Sequence, residues 1–245
     1  MVNKALGQHW LYNRAILDEI AEAAGGGELC VEIGPGLGTL TSSLLKQFDE
    51  VVAVEFDEDL ARKLPGSFPG KNLEVIHEDF LKFDLSQMKQ PYVVAGNIPY
   101  YITSPIIEHI IYSENRPERA VILMQREVAE RIADEGRESM LSLKCKNRAD
   151  VSLGLIVPRE EFTPPPKVDS RVLILHPHEP LVPEEVFKLI GKGFVAPRKK
   201  LINNLTSLLP TMMLEDIFLQ CNVNIDARPG ELKLEDWYKI YQKMV

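Results

Sequence analysis

Residues 29–41, LCVEIGPGLGTLT, decide how the rest of the chain is to be arranged. Leu29–Ile33 is a short apolar run of strand type, rich in β-branched residues, and the LTSSLLKQF segment after it has helical periodicity. Between them Gly34, Gly36 and Gly38 stand at alternate positions. A strand that breaks into glycines and then a helix opens an α/β fold, in which the glycine turn lets the backbone approach a ligand at the carboxyl end of a parallel sheet. The spacing is GxGxG, not the GxGxxG of dinucleotide sites.

Outward from this turn, residues 13–124 alternate strand-like and helix-like runs: AILDEIAEAA, LCVEIG, LTSSLLKQF, VVAVEF, DLARKL, LEVIH, YVVAGN, IIEHIIYS and AVILMQ. Such alternation predicts a parallel sheet covered by helices on both faces. REVAERIADE predicts a further helix. VSLGLIVP and SRVLILHP, separated by the proline-rich REEFTPPPKVD, predict a hairpin-like pair at the sheet edge, where proline is tolerated. After HPHEPLVP only helical patterns follow, in PEEVFKLIGKGF, RKKLINNLTSLL, LEDIFLQC and LEDWYKIYQKM. The expected organisation is therefore an α/β domain over 1–178 and a small all-helical C-terminal domain over 179–245.

The 245 residues, 45% of them hydrophobic, suffice for a sizeable core. No apolar run approaches the roughly 20 residues of a membrane span, and the opening MVNKALGQHW lacks the order of a signal peptide, so a cytoplasmic location without membrane contact is expected. Cys30, Cys145 and Cys221 form no CxxC or Cys/His spacing, so neither a disulfide framework nor a zinc site is indicated, and reduced thiols with no metal site are expected. The formal net charge of −8 argues against a protein that grips nucleic acid with its whole surface. Yet Lys188, Lys192, Arg198, Lys199 and Lys200 fall between Val186 and Pro210 with no acidic residue among them, a candidate local patch or a solvated helix face.

The ends of successive strands carry the candidate ligand chemistry. Glu55, 21 positions beyond Gly34, closes the second strand where a carboxylate accepts from both ribose hydroxyls. Asp79 and Phe80 follow the third strand, placed to receive an exocyclic amine and to flank a ring. Without a phosphate-gripping lysine, this set favours S-adenosylmethionine over NAD or ATP. The next strand ends in VVAGNIPYYITSP, residues 93–105, where aromatics beside an amide suit a flat, hydrogen-bonding base.

Together GQHWL, VEIGPGLGTLT, VAVEFD, EDFLKFD, GNIPYYITSP, MQREVAERI and FTPPPKVDS resemble the ribosomal RNA adenine N6,N6-dimethyltransferases, most closely the KsgA-type enzymes of the small subunit. The resemblance covers nearly the whole chain. It implies a Rossmann-like methyltransferase sheet, ordinarily of seven strands, with a helical C-terminal domain that contacts ribosomal RNA through Arg198, Lys199 and Lys200. It also implies small-subunit RNA or its precursor as partner, a monomer, and S-adenosylmethionine held by His9, Leu11, Gly34, Gly36, Glu55, Asp79, Phe80 and Asn97. Gln8 is either a neighbour of cofactor or target, or the cap of a turn before the helix at Arg14. On the catalytic side, Asn97 and the carbonyl near Ile98 would accept from an adenine N6 amine, Pro99 would stiffen the turn, and Tyr100 and Phe162 would stack on the base. Tyr101 is assigned to core or loop packing. A large-subunit methyltransferase of the macrolide-resistance type and a non-catalytic ribosome-assembly factor on the same scaffold remain open alternatives.

Overall fold

The structure, a computed structural model, describes residues 9–134 and 136–245, so the expectation for Gln8 lies outside the described residues. The chain begins with β1 (Trp10–Leu11), α1 (Arg14–Ala24), β2 (Gly27–Ile33), α2 (Thr41–Leu44), β3 (Phe48–Glu55) and α3 (Glu58–Lys63). It continues through β4 (Leu73–His77), β5 (Tyr92–Asn97), α4 (Thr103–Ile111), β6 (Arg119–Gln125), α5 (Arg126–Ala133) and α6 (Met140–Arg148). Then come β7 (Ala149–Val157), β8 (Phe162–Thr163), β9 (Ser170–Pro177), α7 (Glu184–Gly193), α8 (Leu201–Leu205), α9 (Thr211–Gln220) and α10 (Leu234–Met244).

Seven strands form one sheet in the order β4-β3-β2-β5-β6-β9-β7. Pairings from β4 across to β6 are parallel, and β9 runs antiparallel to both β6 and β7. The expected pairing of the two late strands is therefore present, with β7 at the edge. Because β2 has β3 on one side and β5 on the other, the sheet reverses its order at β2, and a crevice opens beyond the strand ends there. Local chemistry fixes the flanking elements. Asn13 accepts from the N–H groups of Ala15 and Ile16 to start α1, and Leu17, Ile20, Ala21 and Ala24 turn its buried face to the sheet. Asp57 starts α3 in the same way, and caps of this kind contribute about 1 kcal/mol each.

Two helices are shorter than periodicity predicts. The 40–48 segment is helical only over Thr41–Leu44, because the Gln47 carbonyl accepts from Gly27 N–H and the following Phe48 is already registered against Gly27 in the sheet. The 198–209 segment is helical only over Leu201–Leu205; its entry is tied by Leu201 N–H to the Ala227 carbonyl, and Asn204 donates to Gly193 and Ala196.

Contacts divide the chain into two compact units, 1–130 with 149–178, and 131–148 with 179–245. The expected first domain of 1–178 thus needs correction: residues 131–148 belong to the helical unit. The reason is packing. Leu143 of α6 is fully buried in a core with Val186, Ile190, Leu201, Phe218 and Trp237, and the Asn147 amide pairs with both Val182 N–H and the Val182 carbonyl. Among the described residues, no helix is long and apolar enough to cross a membrane, and no cluster of His, Cys, Asp and Glu could hold a metal ion.

Candidate active site

A cavity of about 300 Å³ opens at the carboxyl ends of β2, β3, β4 and β5. Its wall includes His9, Leu11, Gly34, Glu55, Asp79, Phe80, Asn97, Ile98, Pro99 and Tyr100, so ten of the residues singled out in the sequence meet there. The glycine turn is built around Glu55. One carboxylate oxygen accepts from Gly36 N–H at 2.9 Å and the other from Asp57 N–H at 2.8 Å, which locks the turn after β2 to the end of β3. Burial holds the Glu55 carboxyl above its ordinary range, and the backbone N–H groups of Asp57 and Gly36 oppose that shift. Gly36 itself is a correction. It does not line the cavity, because the Trp10 ring lies across it, where a Cβ would come within 2.1 Å of the ring. Gly34, at φ +58°, does line the cavity, and a Cβ there would meet no protein atom within 4 Å.

Beyond β4, Asp79 Oδ1 accepts from Leu81 N–H, which fixes the carboxylate in its turn. Phe80 forms a wall backed by Phe83 and by the edge of His109. Phe56 and Glu32 are among the lining residues that escaped the sequence reading. Phe56, directly after Glu55, is 60% exposed and offers an aromatic face; its signal was the aromatic next to a strand-end acid. Glu32 sits inside β2, 1% exposed, with Oε2 unpartnered, and burial first, then the charge of Glu55, push it up to about 8 despite Thr41. A carboxyl within the apolar run Leu29–Ile33 was its only mark.

At the end of β5, the Asn97 amide donates to the His9 carbonyl at 3.2 Å. A carbonyl accepts only from the NH₂ group, so the amide orientation is set and Oδ1 is left as the acceptor of a residue that lines the cavity. Tyr100 is held twice. Its hydroxyl lies 2.7 Å from the buried Ser170 hydroxyl, and one ring face is stacked against His9, whose Nδ1 is 2.7 Å from the Pro164 carbonyl. Burial raises the Tyr100 phenol, keeping it protonated.

Phe162 is the second correction. It is 2% exposed, pairs with Leu11 in the β1–β8 ribbon, and packs in the core under the sheet, so its ring presents no face to the cavity. Tyr101 is the third: expected to pack, it is 63% exposed and lines the cavity. Arg198, Lys199 and Lys200 lie in the helical unit, all exposed, with Lys200 paired to Asp226 at 2.5 Å.

Glu32, Glu55, Glu78 and Asp79 line the cavity, and among the described residues the lining includes no Lys or Arg. Such a wall suits a cationic nucleoside and disfavours a phosphate chain, which calls for cations or a helix N-terminus. The open space at Gly34, the orphaned Glu32 oxygen, the strand-end carboxylates and the Phe56 face together fit the expected S-adenosylmethionine.

Comparison with known proteins agrees with this chemistry. A family model described as ribosomal RNA adenine dimethylase matches residues 1–244. A protein of Thermosynechococcus vestitus named ribosomal RNA small subunit methyltransferase A is 40% identical, covering 96% of this chain and 93% of its own. A Dehalococcoides mccartyi protein of the same name is 36% identical over 97% and 86% of the two chains. Among solved structures, a Plasmodium falciparum dimethyladenosine transferase superposes with a TM-score of 0.80 at 28% identity, covering 96% of this chain and 98% of that one. The 23S rRNA methyltransferase ErmE superposes at 0.79, also at 28% identity, with 96% and 99% coverage.

Proposed function

Because the chain belongs to the ribosomal RNA adenine dimethylase family, we propose that it transfers methyl groups from S-adenosylmethionine to N6 of adenines in small-subunit ribosomal RNA, giving N6,N6-dimethyladenosine. The observation that carries this reading is the fixed Asn97 amide in a cavity walled by carboxylates and, among the described residues, free of Lys and Arg. Small-subunit RNA is favoured because relatives bearing that name are 35–40% identical, against 28% for ErmE. A non-catalytic assembly factor would have no need of this amide geometry.

When bound, S-adenosylmethionine supplies an electrophilic methyl carbon on a sulfonium that departs as a neutral thioether. Glu55 would receive the ribose hydroxyls on lone pairs left over from Gly36 and Asp57, Asp79 would receive the adenine amine, and Phe56 would flank the ring. Glu32, unpartnered in the wall and protonated at neutral pH, would offer the ligand a neutral carboxyl as hydrogen-bond partner. The target N6 lone pair is delocalised into its own ring, so acceptors must orient it. Asn97 Oδ1 and the Ile98 carbonyl accept the two N6 hydrogens and turn the nitrogen toward the methyl, which is catalysis by positioning. Tyr100, held by Ser170 and His9, stacks on the base with its remaining face. No strong base is required: as the N–C bond forms and the C–S bond breaks, N6 becomes cationic, and it then releases its proton to water.

A ribosomal RNA substrate supports a cytoplasmic place of work. Incubation with labelled S-adenosylmethionine and undermethylated small and large subunits, followed by mapping of modified adenines, tests the reading. Label on small-subunit adenines is expected; label on the large subunit alone would reverse the substrate assignment, and no label would overturn the activity.

A further inference from the structure

We infer that Tyr101 stacks on the RNA base adjacent to the target adenine, an inference that rests on the function proposed above. Tyr101 sits on the single helical turn Tyr100–Ile102 that follows β5. Its side chain is 63% exposed, lines the cavity, and makes no hydrogen bond or ring contact with the described residues. The two other aromatics expected at the target base are engaged: Tyr100 is pinned by Ser170 and His9, and Phe162 is 2% exposed in the core, while the exposed Phe56 follows β3 on the cofactor side. A free aromatic at a cavity rim is the part of this site that lacks a structural explanation.

Sheet order says which ligand it faces. The carboxylates assigned to the nucleoside cofactor lie at the ends of β3 and β4, on the far side of β2 from β5. Tyr101 follows β5, beside Asn97, and is therefore on the side of the target base. The target itself must reach Asn97, inside the cavity, whereas a ring two-thirds exposed stands at the mouth. Extruding one adenine from structured RNA leaves the next base with one bare face. Every base has such a face, and an aromatic side chain recovers part of the lost stacking without reading sequence. Tyr101 is thus a positioning residue for the RNA strand, separate from the Asn97 amide.

The test is steady-state methylation of undermethylated small subunits by Tyr101→Phe, Tyr101→Leu and Tyr101→Ala, with cofactor affinity and thermal midpoint measured in parallel. Tyr101→Ala is expected to raise the KM for the subunit about tenfold, with Tyr101→Leu intermediate and Tyr101→Phe like wild type. The kcat, cofactor affinity and thermal midpoint should not move. A KM for Tyr101→Ala equal to wild type would overturn the inference while leaving the proposed function standing. Weaker cofactor binding with an unchanged KM would also overturn it, by assigning the ring to the cofactor. Absence of methylation by the wild-type protein would remove the proposed function and this inference together.

Discussion

Glu55 joins structure and binding in one carboxylate, since the oxygens that would receive a ribose also hold Gly36 and Asp57 in place. A hydrogen bond to a charged group contributes about 1.5–3 kcal/mol. Glu55→Gln and Asp79→Ala should therefore each weaken S-adenosylmethionine binding roughly tenfold to hundredfold by calorimetry. Unchanged affinity in both, with folding intact, would contradict the assigned cofactor site. Glu32 makes a different prediction, in pH. Its carboxyl is raised from 4.5 to about 8 in the folded protein, chiefly by burial. Between those values the folded state keeps a proton that the unfolded chain has released, so rising pH favours unfolding through that window. The ligand-free thermal midpoint should fall from pH 5 to pH 8 by the equivalent of a few kcal/mol, and Glu32→Gln should flatten the slope. An identical slope in Glu32→Gln would show that the carboxyl is not buried in this way.

At the scale of elements, the two-stranded β1–β8 ribbon decides which aromatics remain available. It buries Phe162 against Leu11 and draws Trp10 over the glycine turn, leaving Tyr100 and Tyr101 at the cavity. Phe162→Ala should cost about 3–5 kcal/mol of stability, as for other large core truncations, and Phe162→Leu much less. In molecules that remain folded, the subunit KM should stay at its wild-type value, while Tyr100→Ala should raise it without comparable loss of stability. Chemical denaturation and steady-state kinetics separate the two cases. The ribbon also marks the limit of what the sequence shows. Strand ends, the glycine turn and the Asn97 turn are local features, and all were legible in residues 29–125. Two-residue strands such as Trp10–Leu11 carry no period, so the burial of Phe162 follows only from a pairing across the chain. Helix α6 was likewise silent, because Met140–Arg148 mixes buried Ser142, Leu143, Cys145 and Asn147 without an apolar stripe.

For the whole molecule, a net charge of −8 must be reconciled with an RNA substrate, and local distribution does this. Arg198 and Lys199 are exposed and unpaired among the described residues, whereas Lys200 is partly neutralised by Asp226. Replacing Arg198 and Lys199 together with Ala should weaken subunit binding and flatten its log-salt slope by about 1–2, on the scale of about 0.9 per phosphate contact known for duplex DNA. Lys200→Ala should do less, and cofactor affinity should be untouched. A binding curve unaltered from low to high salt would return these residues to a solvated face. The central claim remains that the Asn97 amide, oriented by the His9 carbonyl, aligns the N6 amine for methyl transfer. Loss of one preorganised polar group at a reacting centre typically lowers the rate about 10²–10³-fold. After the first transfer only one N6 hydrogen is left, so the second transfer should be at least as sensitive as the first. Single-turnover methylation by Asn97→Ala at saturating S-adenosylmethionine, read by mass spectrometry of RNA digests, measures this directly. A fall of about 10²–10³ with mainly monomethyladenosine as residual product is predicted, and dimethyladenosine formed at the wild-type rate would contradict the mechanism.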